Sequence, residues 1–307
     1  MRKAILLIIA ILLVSCRPHK LSGPTGSGLD NLRIKKDIYC ELSRKNLQEK
    51  TYLGDKCDSL LFTSLYAAVC GEVDLSSWED PSVPGKMYRN PERDCYPDES
   101  KSSISRDMLL GYMTYLWKQR DLTNAAEMIS YGKSVTWVMG EYNDAEGLSR
   151  VLMTPQLISL LTDIESKLST GAALRLVGED DAVLINTGFR AHLDVLRIVL
   201  SGSVRSGISE IERLILKGQS ERVRENALFQ AAYARYNGGD QTNAVLLLMD
   251  ENRFPVGKLP DNHTNQCEGY VYQRDPGEDW APCPDRELHQ HDGVDFLVAA
   301  SIALGDL

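Results

Sequence analysis

The sequence predicts an all-α fold assembled from helical hairpins. Three observations lead there. Helical periodicity covers most of the chain, over 31–47, 57–70, 105–119, 123–138, 155–169, 189–200, 206–217, 221–237, 241–250 and 293–305. Alternating apolar and polar runs are scarce, and Ala182–Asn186 is an isolated short strand signal. Finally, residues 106–129 and 224–249 read as two copies of one hairpin. Each opens with Arg and an acid, Arg106-Asp107 and Arg224-Glu225. Each turns at Asp-x-Thr-Asn-Ala, at Asp121 and at Asp240. Asp or Thr can cap the returning helix there, and Ala starts it at little cost.

The helices are of two kinds. Segments 57–70, 108–117 and 294–304 are apolar nearly all round and must be packed on most sides. Segments 123–138 and 206–217 are amphipathic and suit an outer layer. Greasy inner helices wrapped by amphipathic outer ones give an α/α toroid. The chain is short for six hairpins, so the expectation is an incomplete toroid, with an irregular helical-repeat bundle as the alternative.

The first residues stand apart from the fold. Met1-Arg2-Lys3 is positive, and Ala4–Val14 is an apolar run of signal-peptide length, too short to span a membrane. Leu13-Val14-Ser15-Cys16 resembles the lipobox of bacterial lipoproteins. The resemblance implies cleavage before Cys16, lipid on its sulfur and an acylated N-terminus. Arg17, in place of an aspartate, implies the outer membrane in a Gram-negative host. Residues 1–15 are then signal peptide, 16–30 a lipidated Cys and Gly/Ser/Pro-rich tether, and 31–307 one helical domain. Several acyl chains anchor stably where one does not.

The net charge is −9, and no Lys/Arg stripe appears. That argues against a nucleic-acid partner, because phosphate binding needs a basic footprint.

Export changes how the cysteines read. Beyond Cys16 there are six: Cys40, Cys57, Cys70, Cys95, Cys267 and Cys283. An even number in an oxidising compartment predicts disulfides. A helix over 57–70 would hold Cys57 and Cys70 roughly 20 Å apart, beyond bridging distance. The favoured pairs are Cys267–Cys283 and Cys70–Cys95, leaving Cys40–Cys57.

Candidate chemistry sits in the approaches to the buried helices. Cys57-Asp58-Ser59 precedes one. Cys95-Tyr96-Pro97-Asp98 leads to Ser105-Arg106-Asp107 before another. Cys283-Pro284-Asp285 leads to His289-Gln290-His291-Asp292-Gly293-Val294-Asp295 before a third. If those helices run parallel, the approaches gather at one end. The helix pattern is similar to that of α/α-toroid glycosidases and polysaccharide lyases, which keep their sites on such loops. No family motif is matched, so no catalytic residue is carried over.

Glycoside cleavage needs two carboxyls across a cleft, one of them protonated. Asp107 and Asp295 are the first choices, with Asp98, Glu99 and Asp292 as further carboxylates and His291 as an acid–base group. Against this, Ser105 and Asp292 suit helix caps, and Asp292-x-x-Asp295 approximates a capping box. Tyr96, Trp78, Tyr270, Tyr272 and Trp280 supply aromatic platforms for sugar faces, with Arg106 and His289 as polar contacts. His192 falls within a helix and reads as structural. His289-x-His291 lacks a third ligand, and no phosphate loop, GxSxG or HExxH occurs, so no metal or cofactor is expected.

Two functions are therefore expected to compete. One is an envelope lipoprotein that binds a carbohydrate, peptidoglycan or an envelope polysaccharide, and is a candidate for cleaving it as a glycoside hydrolase or polysaccharide lyase. The other is a non-catalytic envelope scaffold whose hairpins bind a protein partner.

Overall fold

The computed structural model describes residues 26–71, 73–96, 104–144, 147–173, 191–259 and 291–307. Among them the chain is mostly helical, with ten α-helices and one two-stranded sheet. The helices are α1 (Gly26–Lys50), α2 (Ser59–Cys70), α3 (Arg106–Gln119), α4 (Leu122–Ser134), α5 (Pro155–Thr170), α6 (Ala191–Arg205), α7 (Glu210–Arg222), α8 (Ala227–Tyr236), α9 (Thr242–Met249) and α10 (Val294–Leu304). Strands β1 (Val138–Asp144) and β2 (Gly147–Leu152) form an antiparallel hairpin between α4 and α5.

The apolar segments are the buried ones. Nearly every residue of α2 and α10 is inaccessible to solvent, which accounts for their lack of a polar face. Each fully buried Leu or Phe contributes about 1.5–3 kcal/mol, so these helices anchor the core. Five helices pack in sequence, α2 on α3, α3 on α6, α6 on α8, α8 on α10 and α10 back on α2. The others lie outside them, with α4 and α5 against α3, α7 against α8, and α1 and α9 against α10. Gly111 permits the close packing of α3 on α2. A Cβ there would stand 2.9 Å from the Leu61 side chain and 3.0 Å from its carbonyl.

The five inner helices run the same way. Gln119 at the end of α3 donates to the carbonyl of Ala67 near the end of α2. Tyr236, ending α8, donates to Val199 in the second half of α6. Arg235 of α8 approaches Gly305, just past α10, and Lys118 of α3 donates to Asp306. The C-terminal ends thus share one end of the molecule, and the N-terminal ends share the other. In the two hairpins that the sequence pairs, α3 and α8 are the inner members and α4 and α9 the outer. Their turns differ by one residue. Asp121 caps α4 by accepting from Asn124 N, whereas Asp240 accepts from Thr242 ahead of α9.

Three expectations change. The helix expected over 123–138 stops at Ser134. Thr136 and Trp137 both take positive φ, and the chain turns into β1. A bulge between Val138 and Gly140 breaks the alternation that would have marked the strand. The helix expected from residue 31 already includes Gly26, the first described residue. The disulfides also pair differently. Cys40 bonds Cys70, and Cys57 bonds Cys95. α1 and α2 are antiparallel neighbours, which sets Cys40 beside the end of α2. The segment after Cys70 returns to the start of α2, where Leu60 N donates to Arg89 O, and so delivers Cys95 to Cys57. Cys267, Cys283 and the strand signal at 182–186 lie outside the described residues.

Candidate functional site

The N-terminal end of the inner helices gathers side chains from distant parts of the chain. His291 precedes α10, and its ring stacks on Phe62 in the first turn of α2 at 4.8 Å. Its Nδ1 lies 3.2 Å from Asp295 Oδ2, one turn into α10. Both residues are buried, at 3% exposure each. A carboxylate only accepts, so facing one His291 Nδ1 is the donor. The other carboxylate oxygen, Oδ1, accepts from the backbone N–H of Phe296.

The facing part of the site comes from α3 and α6. His192, in the first turn of α6, is 5% exposed. Burial pushes its pKa down to about 4, the nearby His291 pushes the same way, and Asp107 at the start of α3 opposes them. His192 is consequently neutral at neutral pH. Asp107 accepts from the Ser105 hydroxyl and from Met108 N at 3.0 Å. Ser105 is the N-cap of α3, yet its side chain serves Asp107 and not the helix. Asp107, His192 and the His291–Asp295 pair therefore share one electrostatic neighbourhood, built from the first turns of three helices.

Asp292 does something else. It is 5% exposed and takes positive φ. Its carboxylate accepts from Asn46 Nδ2 at 2.9 Å, from Gly54 N at 2.8 Å and from Lys50 Nζ at 3.2 Å. Ser43 donates to its carbonyl. Asp292 thus pins the start of α10 to the end of α1. The N-cap of α10 is Gly293, without a side-chain bond, so the expected capping box does not form.

The other expected site residues divide. Trp78 is 2% exposed and donates through Nε1 to Ser59, a core position with no face for a ligand. Tyr96 lies under the Arg89 guanidinium, 5.3 Å from its ring centre. Arg106 donates to the carbonyl of Leu152 and lines a small cleft with Leu110, Leu157 and Leu193. Asp98, Glu99, Tyr270, Tyr272, Trp280 and His289 lie outside the described residues. His192, which the sequence reads as structural, is buried within the first turn of α6 and shares this neighbourhood. Its position at a helix start was readable, but its neighbours lie about 85 and 99 residues away in the chain.

Among the described residues no group of three metal-ligating side chains forms, and no helix is long and apolar enough to cross a membrane. Comparison with known proteins finds no match, whether to a protein family, a curated protein or a solved structure.

Proposed function

We propose that this chain is an exported lipoprotein, anchored through Cys16, whose helices form an incomplete α/α toroid. In this reading it binds an envelope carbohydrate, of which peptidoglycan is one, and hydrolyses it at the N-terminal end of the inner helices. The observation that carries the reading is the convergence of Asp107, His192 and the Asp295–His291 pair at that end. The parallel run and cyclic packing of the inner helices support the toroid.

The chemistry follows from the arrangement. A carboxylate-oriented imidazole is an acid–base group whose orienting partner fixes its tautomer. Asp107 supplies a second carboxyl from another helix, as glycoside cleavage needs. Asp292 drops out of the mechanism, because its bonds to Asn46, Gly54 and Lys50 tie it to α1.

The test is binding and turnover of purified envelope glycans by wild type beside Asp295→Asn, Asp107→Asn and His291→Gln. Turnover should fall by about 10²-fold or more in His291→Gln, the magnitude of a lost general acid–base group. Glycan binding should survive in all three. A wild type that neither binds nor cleaves any envelope glycan sinks this reading. The scaffold reading would then lead, its surface being the groove between α7, α8 and α9 beside exposed Leu246.

A further inference from the structure

We infer that the site end faces away from the bilayer that holds the chain, so that its ligand is a polymer beyond the lipid headgroups and not a sugar carried on a lipid of that bilayer. This rests on the lipid-anchored glycan reading above. The direction of α1 carries it. Near its C-terminus, Asn46 and Lys50 bond Asp292, at the site end. Midway, Cys40 is bonded to Cys70, the last residue of α2. Earlier still, Lys36 pairs with Asp306, just past α10, at the opposite end. α1 therefore runs antiparallel to the inner helices, and Gly26 lies at the end remote from Asp107, His192 and His291.

Lengths then decide how far the molecule can turn. α1 has 25 residues, each rising about 1.5 Å. Ten peptide steps lead from Cys16 to Gly26. At full stretch they reach roughly 33–36 Å, and as a flexible coil about 17 Å. From Gly26 to Lys50 α1 makes 24 steps, about 36 Å, a span the tether matches only when pulled fully taut. Laying the site face flat on the anchoring bilayer would need that taut state, at the cost of the conformational entropy of a relaxed chain. The domain stands or leans with the site outward, toward a polymer that lies off the membrane.

The test uses the full chain, produced in a bacterium that processes lipoproteins and purified with its lipid. It is placed in phosphatidylcholine–phosphatidylglycerol vesicles that carry an acceptor dye on the headgroups. A donor dye sits at Arg33→Cys or at Gln48→Cys, both exposed positions of α1. Energy transfer should be at least twofold stronger from position 33. Equal or reversed transfer, in a chain shown by mass spectrometry to carry lipid at its N-terminal cysteine, overturns the orientation and leaves the anchor standing. A chain without that lipid sinks the anchored reading and the orientation together. In the same vesicles, soluble peptidoglycan fragments should be cleaved at least tenfold faster than the same disaccharide linked to a vesicle lipid. Preference for the lipid-linked sugar also overturns the inference.

Discussion

The two ends of the inner helices are built on opposite terms. At the N-terminal end, ionisable groups are buried: His192, His291, Asp292 and Asp295 are all nearly inaccessible. At the C-terminal end, the corresponding ion pair is half open. Lys36 is buried, but its partner Asp306 is well exposed, and Lys118 beside them is exposed as well. Burial still lowers the Lys118 pKa, with Lys36 and Arg235 adding to the effect against Asp306. Cations at helix C-termini match the macrodipole and need little else to explain them. Buried charge at the other end costs free energy unless every group is bonded. Asp292 answers that cost with a structural clamp. Asp107 bonds Ser105 and Met108 N, and Asp295 bonds His291 and Phe296 N, all within their own helix starts.

Each end has its own disulfide, and removing either gives the largest expected effect. The bridges span 30 and 38 residues, so each constrains the unfolded chain by about 3–4 kcal/mol. Urea unfolding of Cys40→Ala/Cys70→Ala and of Cys57→Ala/Cys95→Ala should show comparable losses. Only the second pair should also weaken glycan binding, because it holds the segment bearing Arg89 and Tyr96. Equal effects on binding would break the contrast between the ends.

Next comes the clamp. Asp292→Ala should lower stability by about 3 kcal/mol, since it leaves Asn46, Gly54 N and Lys50 without their acceptor. Asp306→Ala, at the open end, should cost about 1 kcal/mol. Thermal or urea unfolding of the two variants side by side measures the difference. A larger loss in Asp306→Ala would reverse the comparison.

A comparable loss should appear as pH falls, and it belongs to the site end alone. His192 has a folded pKa of about 4, below its unfolded value near 6.5. Between those values the unfolded chain binds the extra proton, so stability is full above about pH 6.5 and declines toward pH 4. The decline from this group is about 3 kcal/mol. His192→Gln should flatten that window in urea titrations taken at several pH values. An unchanged slope would mean that His192 is not held neutral.

An effect smaller than that of the Asp292 clamp is expected at Gly111, between the two ends. Gly111→Ala should cost about 2 kcal/mol, because α2 and α3 must separate around Leu61. Glycan binding should change little, since both ends keep their bonds.

Much of this molecule was legible before any coordinates. The all-round apolarity of 57–70 and 294–304 marked them as inner helices, because no polar face was left to turn to water. The helix starts near 122 and 155 follow from local capping chemistry, with Asp121 and Thr154 accepting from backbone N–H groups of the first turn. The β-hairpin was not legible, because a bulge and paired positive-φ residues disrupt the local pattern. The candidate site was half legible. Asp107, His291 and Asp295 could be proposed from their places before greasy helices. Their company could not, since His192 reaches them only through helix packing.

The sequence by itself determined which segments are helical and which of those helices are buried, because both depend on short-range periodicity and on side-chain solvation. Only the tertiary structure decided the disulfide partners, the split between a clamping Asp292 and a His291-facing Asp295, and the end at which α1 begins. Those outcomes depend on which helices run parallel, and direction in space is not written in any local stretch of chain.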